Sequence, residues 1–563
     1  MKKRIIPVIV AIVLILIVVA ATFGMKIIER YTYSKERADL NEYFHINTSD
    51  ETAIMLGDEL LEQKAKNIDG FIYLDFNTVK SYFNDRLYFD QNEGLLLYTG
   101  PANTISNVVG SSSYMQDGQE MKEIFPVSVM DQDTLYIAID YLKKYTNLSY
   151  QVFENPSRVQ IMNQWSEIKL AEIRKDTAVR ILGGIKSEIL SDLKKGDTVV
   201  ILEEMDTWSK VKTSDSVIGY VENKRLKNIR TEEQQAVKEV EEPFYSSMTR
   251  DHKINLVWHQ VTNLSANAYL SEMMAEATGV NVISPTWFSL SDNQGNFTSL
   301  ASIDYVNQAH SMGLEVWGLI DNFNPEIDTK EILSYTSKRN LLVTNLVNTA
   351  LQNDLDGINI DFETLSEETG DHFIQFIREL SVACRANQLV LSIDNYVPKD
   401  YSAHYFRKEQ GVVADYVIIM GYDEHYAGGG VAGSVASIDF VEEGIANTVA
   451  EVPTNKVINA VPFYTRVWST KGAEVTAESV GMGIAESFLS SNGATAVWDE
   501  VTCQNYAEFN ADDVLYQVWL EDAASLDVKL NVMRKYELGG VAAWKLGLET
   551  PDVWSILATY VSE

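Results

Sequence analysis

Asp356, Asn359, Asp361 and Glu363 stand within the eight residues DGINIDFE, the last three alternating with Ile358, Ile360 and Phe362. A strand sends successive side chains to opposite faces, so Asn359, Asp361 and Glu363 share one face. Two carboxyls that close cannot both ionise cheaply; one keeps its proton toward neutral pH and can serve as a general acid. Glu363, at the end of the row, is the candidate acid, with Asp361 one step deeper. Aromatic residues at the ends of other strand-length runs, Trp287, Trp317, Tyr422, Tyr464 and Trp544, suit a sugar, whose apolar ring faces stack on aromatic planes. Clustered acids also bind metals, but the seven His show no paired ligand spacing, so neither metal nor cofactor is expected.

A polar row of this kind can also face water on a half-exposed antiparallel strand. The flanking sequence argues for burial. KINLVWHQV, VNVISPTWFSL, LEVWGLIDNF, GINIDFE, LVLSIDNY, DYVIIMGYDEH, KVINAVPFYTRVW and GGVAAWKLGLE are eight apolar runs separated by helical stretches such as Ser302 to Met312 and His372 to Asn387. Strand and helix repeated eight times over residues 251–563 predict a (β/α)8 barrel, whose sites lie at the C-terminal strand ends. Polar residues gather at those ends: Asp321 and Asn322, Glu363, Asp394 and Asn395, Tyr422 to His425, Arg466 and Glu549. About 70 residues between strands seven and eight exceed a simple crossover and predict a small insertion forming one wall of a cleft.

With those residues in view, DGINIDFE resembles the Asp-Gly-x-Asp-x-Asp-x-Glu signature of glycoside hydrolase family 18, the chitinase and endo-N-acetylglucosaminidase family. MGYD at Met420 to Asp423, VPFYTRVW at Val461 to Trp468 and the strand-eight Trp544 agree with it. The resemblance implies that Glu363 protonates the glycosidic oxygen and Asp361 orients the substrate's acetamido group, whose oxygen is the nucleophile. It further implies that Tyr422 hydrogen-bonds the developing oxazolinium, Trp544 floors the pocket and Asp356 supports the row from below. Asn359, Trp287, Asp423, Tyr464 and Arg466 complete the expected substrate contacts. Two departures stand out. The inner Asp of the pattern is Asn359 here, so the proton-sharing partner of Asp361 is expected to be unable to ionise. The strand-three Ser-x-Gly-Gly motif is replaced by Trp317-Gly318-Leu319. Both features resemble the spore-germination and cortex-lytic branch, which implies a glycosidase for N-acetylglucosaminyl bonds in peptidoglycan. Chitin-type oligomers are the alternative substrate, and a non-catalytic wall-binding protein the alternative class.

Upstream, two modules and an apolar run precede the barrel. Residues 70–165 read as a duplicated α+β module: at an offset of 63, Tyr73, Lys80, Tyr82 and Asn84 fall on Tyr136, Lys143, Tyr145 and Asn147. It resembles the small N-terminal domain of copper amine oxidases, without metal ligands. Residues 166–230 are short strands with Gly-containing turns; Val179-Arg180, Leu193 to Gly196, Trp208 and Gly219 to Val221 resemble a bacterial Src-homology-3-like barrel, which implies cell-wall binding. Residues 231–250 read as a charged linker and 29–69 as a stalk. Ile5 to Met25 carry no charge for 21 residues after a basic start, long enough at about 1.5 Å per residue to span a bilayer core of roughly 30 Å. Residues 1–28 are therefore read as a cytoplasmic tip and single-pass anchor, spanning at 5–25, with the bulk of the chain outside. Secretion after cleavage near Val19-Ala20-Ala21 is the other reading. A formal charge of −34 excludes nucleic acid as a partner. Cys384 and Cys503 are too few for a disulfide framework.

Overall fold

The computed structural model describes residues 2–563, with side chains from Ile6 onward; the basic tip expected at Lys2 to Arg4 lies outside the described side chains. Lys2–Tyr31 is one helix, long and apolar enough to cross a membrane. The chain divides into two compact units. The first holds residues through Arg86, Val108–Ser113 and Lys122–Glu242; the second holds Leu87–Asn107, Tyr114–Met121 and Pro243–Glu563.

Within the first unit, seven antiparallel strands from Glu167–Ile173 to Leu226–Glu233 form the small barrel. A second seven-stranded sheet contains strands from both of the stretches matched at the offset of 63. Phe71–Asp75 with helix Phe76–Tyr82 recurs as Thr134–Ala138 with helix Ile139–Leu142, and the two strands pair antiparallel, Tyr73 opposite Ala138 and Tyr136 opposite Asp75.

Residues 29–69 are not a stalk. Glu51–Leu56 and Glu59–Ile68 pair as a hairpin in that same sheet, and Glu51–Leu56 also pairs in parallel with Arg158–Met162. Ala53, Ile54 and Met55 are sealed from solvent. Further upstream Ser34 and Ala38 donate backbone bonds to Ile185 and Ile189 at 2.8 and 3.0 Å, and Phe44 joins the core of the small barrel. The segment reads as charged because Glu59, Glu62 and Gln63 are exposed along the longer arm, where only Leu61 and Ala65 are buried. The 231–250 segment is a linker only in part. Its first residues extend the last strand of the small barrel, and from Pro243 it belongs to the second unit, where Met248 N donates to Asp415 and Arg250 grips Glu315 through Nε and Nη2 at 2.6 and 2.9 Å.

The second unit contains the expected barrel. Its strands are β1 (Ile254–His259), β2 (Val282–Leu290), β3 (Glu315–Asp321), β4 (Gly357–Asp361), β5 (Val390–Tyr396), β6 (Tyr416–Met420), β7 (Val457–Pro462) and β8 (Gly540–Trp544). Each pairs in parallel with the next, and β8 pairs with β1 to close the ring. Alternation sorts the side chains: Ile358, Ile360 and Phe362 face the helices, while Leu256, Trp317, Leu319, Tyr416, Ile418 and Ile458 pack inside. After β7, Tyr464–Lys471 starts a five-stranded antiparallel sheet with helix Met482–Ser491, the predicted insertion.

One addition is unexpected. Five short strands between Leu87–Asp90 and Gln119–Lys122 form their own sheet, most of which belongs to this second unit. Asp90 accepts both the N–H and the hydroxyl of Thr336 at 2.6 Å, at the start of helix Thr336–Gln352. Tyr88 OH is hydrogen-bonded to His372 Nδ1 at 2.6 Å and accepts from Arg339, which is itself paired with Glu379 at 2.9 Å with both side chains buried.

Candidate active site

Strand β4 delivers the row. Asn359 and Asp361 are buried, and Glu363 stands half-buried where the chain leaves the barrel. The exit is held by neighbouring strands. Asn322, just past β3, accepts Glu363 N–H at 2.9 Å and donates to Glu363 C=O at 3.0 Å, a two-point grip on the backbone. Thr364 then turns through a left-handed φ of 53°, a conformation that β-branched residues avoid and that marks stored local strain.

Tyr396, at the end of β5, completes the clamp: its hydroxyl accepts Thr364 N–H at 3.2 Å and donates to Glu363 Oε2 at 2.6 Å. Burial, and then the charges of Asp423 and Asp321, push the Glu363 carboxyl above its usual range, while the Tyr396 bond opposes them. Asp361 is pushed well above the carboxylate range by burial first, then by Asp394, Glu363 and Asp321. The rim therefore presents a carboxyl that keeps its proton above the pH at which a solvated Glu would lose it.

Glu363 borders two cavities. One of about 640 Å³ lies along Asn322 to Lys330; the other, about 1030 Å³, runs past Tyr396, Tyr401, Tyr422, Asp423 and Tyr426. A third, about 400 Å³, is lined by Asp423, Tyr464, Arg466, Trp544 and Lys545. Asp423 links the last two: its Oδ1 accepts Tyr464 OH and Arg466 Nη2, each at 2.6 Å. Arg466 also donates to His425 C=O and Ser479, so its cation is spent holding this wall. Tyr422 meets Tyr464 edge-on at 6.2 Å between ring centres, and its hydroxyl lies in the field of Asp361, Asp394 and Glu363.

Several expected contacts lie elsewhere. Trp287 is 1% exposed and points into the helix layer, bonding Asn267 through Nε1 and packing on Tyr305. Its parity opposes that of inward Ser284, a signal the alternation carried. Trp317 is inward but low in the barrel, opposite Gly357 in register and stacked on Tyr416 at 5.4 Å. Asp356 precedes β4 at the barrel's opposite end, accepting from His310 Nε2 and Val316 N at 2.8 Å each. Asn359 is sealed and fully engaged: Nδ2 donates to Ser392 and Asp394, and Oδ1 accepts from Trp258 and Ser284. A side chain so occupied has no atom left for a sugar. Asp361 does have an ionisable neighbour, Asp394 of β5, contrary to the expectation drawn from Asn359.

Sequence reading passed over Tyr396 and Trp258. Trp258 sits inward on β1, 5.9 Å from Trp544 between ring centres, where Trp287 was expected to contribute. Tyr396 closes the run SIDNY with the same parity as Asp394, so its place on the inner face was legible; its bond to Glu363 was not. Among the described residues no group of three or more His, Cys, Asp or Glu is arranged to hold a metal ion.

Residues 326–549 match the Glycosyl hydrolases family 18, and residues 176–227 match the Bacterial SH3 domain. Over 248 residues the chain is 29% identical to the Cortical fragment-lytic enzyme of Bacillus subtilis (strain 168), covering 42% of this chain and 56% of that protein. Over 263 residues it is 26% identical to the Cortical fragment-lytic enzyme of Bacillus anthracis, covering 45% and 60%. The chain thus spans less than two thirds of these relatives' own length. The solved chitinase of Chromobacterium violaceum ATCC 12472 shares the fold at a TM-score of 0.50 and 23% identity, over 55% of this chain and 99% of that one. So does the Bacillus cereus spore cortex-lytic enzyme SleL, at 0.50 and 20%, over 57% and 76%. The C-terminal barrel of this chain therefore carries a glycosyl hydrolases family 18 domain, and the small barrel preceding it in the chain is a bacterial SH3 domain.

Proposed function

We propose that this chain cleaves N-acetylglucosaminyl bonds in cell-wall peptidoglycan, with Glu363 as general acid and base. The observation that carries the reading is the Glu363 carboxyl itself: half-buried, pushed above its usual range, clamped by Tyr396 and Asn322, and standing between two cavities. A glycan lying across that border brings its bridging oxygen to the proton. Asp361 orients the acetamido group, whose oxygen attacks the anomeric carbon as the glycosidic bond breaks; Glu363 gives its proton to the departing oxygen and later takes one from water. Tyr422 hydrogen-bonds the intermediate, and Trp544, backed by buried Trp258, supplies the apolar floor. The names of the Bacillus relatives support a wall glycan over chitin. The SH3 domain holds the chain to the wall, and helix Lys2–Tyr31 holds it to the membrane with both units outside.

The test is hydrolysis by the full chain in detergent of purified peptidoglycan and of an N-acetylglucosamine oligomer, beside Glu363→Gln. Turnover of peptidoglycan falling about 10²–10⁴-fold in the variant, with glycan binding kept, is expected. Preference for the oligomer makes it a chitinase, and binding without cleavage by either protein makes it a wall-binding protein. For the anchor, the chain is expected in the membrane fraction after a high-salt wash; a soluble, N-terminally shortened chain overturns it.

A further inference from the structure

Strands β4 and β5 pair Asn359 with Ser392 and Ile360 with Ile393, so the next residues of the register are Asp361 and Asp394. Both share the inward parity of Asn359 and Ser392. Asp361 is 6% exposed and Asp394 3%. Asp361 Oδ1 is buried without a hydrogen-bond partner, whereas Asp394 Oδ1 accepts Asn359 Nδ2 at 2.9 Å. Asn359 cannot turn that amide away, because its other three bonds fix it. An amide N–H favours an ionised acceptor, so the proton belongs on the other member of the pair.

The surroundings leave no other way to balance the charge. Glu363 and Asp321 act on Asp361, and Glu363 acts on Asp394; Tyr422 lies in the field of both, and no cation is among the groups that act on either acid. Two ionised carboxylates sealed side by side without a cation are costly.

We propose that Asp361 and Asp394 hold a single proton between them, carried on Asp361 and donated to Asp394, which makes Asp394 a positioning residue for the reaction proposed above. The carboxyl that the family pattern places at position 359 stands here on the neighbouring strand. The proton gives the orphaned side of Asp361 something to donate and keeps the charge beneath Glu363 at one. Burial and the neighbouring charges push both acids upward in the same sense. The catalytic consequence rests on the hydrolase reading; the shared proton does not.

The experiment is an infrared titration of the protonated-carboxyl carbonyl band of the full chain without substrate. The band is assigned by its loss in Asp361→Asn. In Asp394→Asn its midpoint is expected to fall by about one pH unit or more, because a like charge has gone. The exchange Asn359→Asp with Asp394→Asn, which keeps one amide and one carboxyl beside Asp361, is expected to bring the midpoint back. An unchanged midpoint in Asp394→Asn, or no return in the exchange, overturns the proposal. Should Asp394→Asn not fold, Asp361→Asn decides alone: the high-midpoint step of the pair must vanish and leave Asp394 to titrate only at lower pH, and a surviving high-midpoint band overturns the proposal. On glycan, Asp394→Asn is expected to displace the pH profile, whereas lost packing lowers the rate alike at every pH. Absence of turnover in every protein would sink the hydrolase reading and leave the titration interpretable.

Discussion

Two hairpins, Leu87–Asp90 with Leu95–Thr99 and Ser149–Phe153 with Arg158–Met162, occupy matching places in the two similar stretches that precede the small barrel. Their second strands coincide at the offset of 63, Leu95 on Arg158 and Thr99 on Met162. The later hairpin joins the module's own sheet, with Arg158–Met162 pairing along Glu51–Leu56. The earlier one joins a separate sheet and is held within the barrel's unit by Tyr88, Asp90 and Thr99, which bond His372, Thr336 and Gln375. Repeated sequence thus encodes a hairpin, while a few buried polar side chains decide which body it belongs to. Hydrogen bonds discriminate here because a misplaced hairpin would leave them unmade in a dry setting.

The comparison can be broken at its buried charges. Glu379→Ala leaves the Arg339 guanidinium sealed without its partner and is expected to cost the barrel unit about 3–5 kcal/mol in denaturant unfolding. Unfolding of the first unit, followed separately by hydrogen exchange, should not move. Asp90→Ala removes two bonds to Thr336 and is expected to cost about 1.5–3 kcal/mol, again confined to the barrel unit. Asp215→Asn tests the later hairpin. Asp215 pairs with buried Arg158 but is itself 42% exposed, and the Arg158 bond to its backbone carbonyl survives, so under about 1 kcal/mol is expected. If Asp215→Asn costs as much as Glu379→Ala, the contrast drawn between the two hairpins is wrong.

The smallest effect is one of pH. His372, bonded to Tyr88, is held below its ordinary value by burial first and by the Arg339 charge second. The unfolded chain therefore binds a proton that the folded one resists, and stability falls as pH drops through the unfolded value of about 6.5. His372→Gln should flatten the acid side of the barrel unit's stability curve and leave that of the first unit unchanged.

The barrel was legible because each of its strands is a mostly apolar run and amphipathic helices lie between them. The polar row was legible by contrast: Asn359, Asp361 and Glu363 interrupt a run that would otherwise be wholly apolar. What parity could not supply was height along the barrel axis. Trp317 and Tyr422 are both inward, yet one lies at the level of Gly357 and the other beyond the strand ends. The strands at 51–68 escaped because the hairpin, though interior to its sheet, shows only two buried residues on its longer arm. Partners distant in sequence, such as Tyr396 with Glu363 or Asp90 with Thr336, leave no local trace at all.

The bonds that replaced the expected stalk set a leash. Helix Lys2–Tyr31 ends three residues before Ser34, whose N–H is fastened to Ile185, and Tyr33 between them donates to Glu222. At no more than about 3.6 Å per residue, that leaves roughly 10 Å of chain between the helix and the small barrel. With the helix seated in a bilayer, the small barrel would be held within that length of the membrane surface, too short a tether to let it range outward.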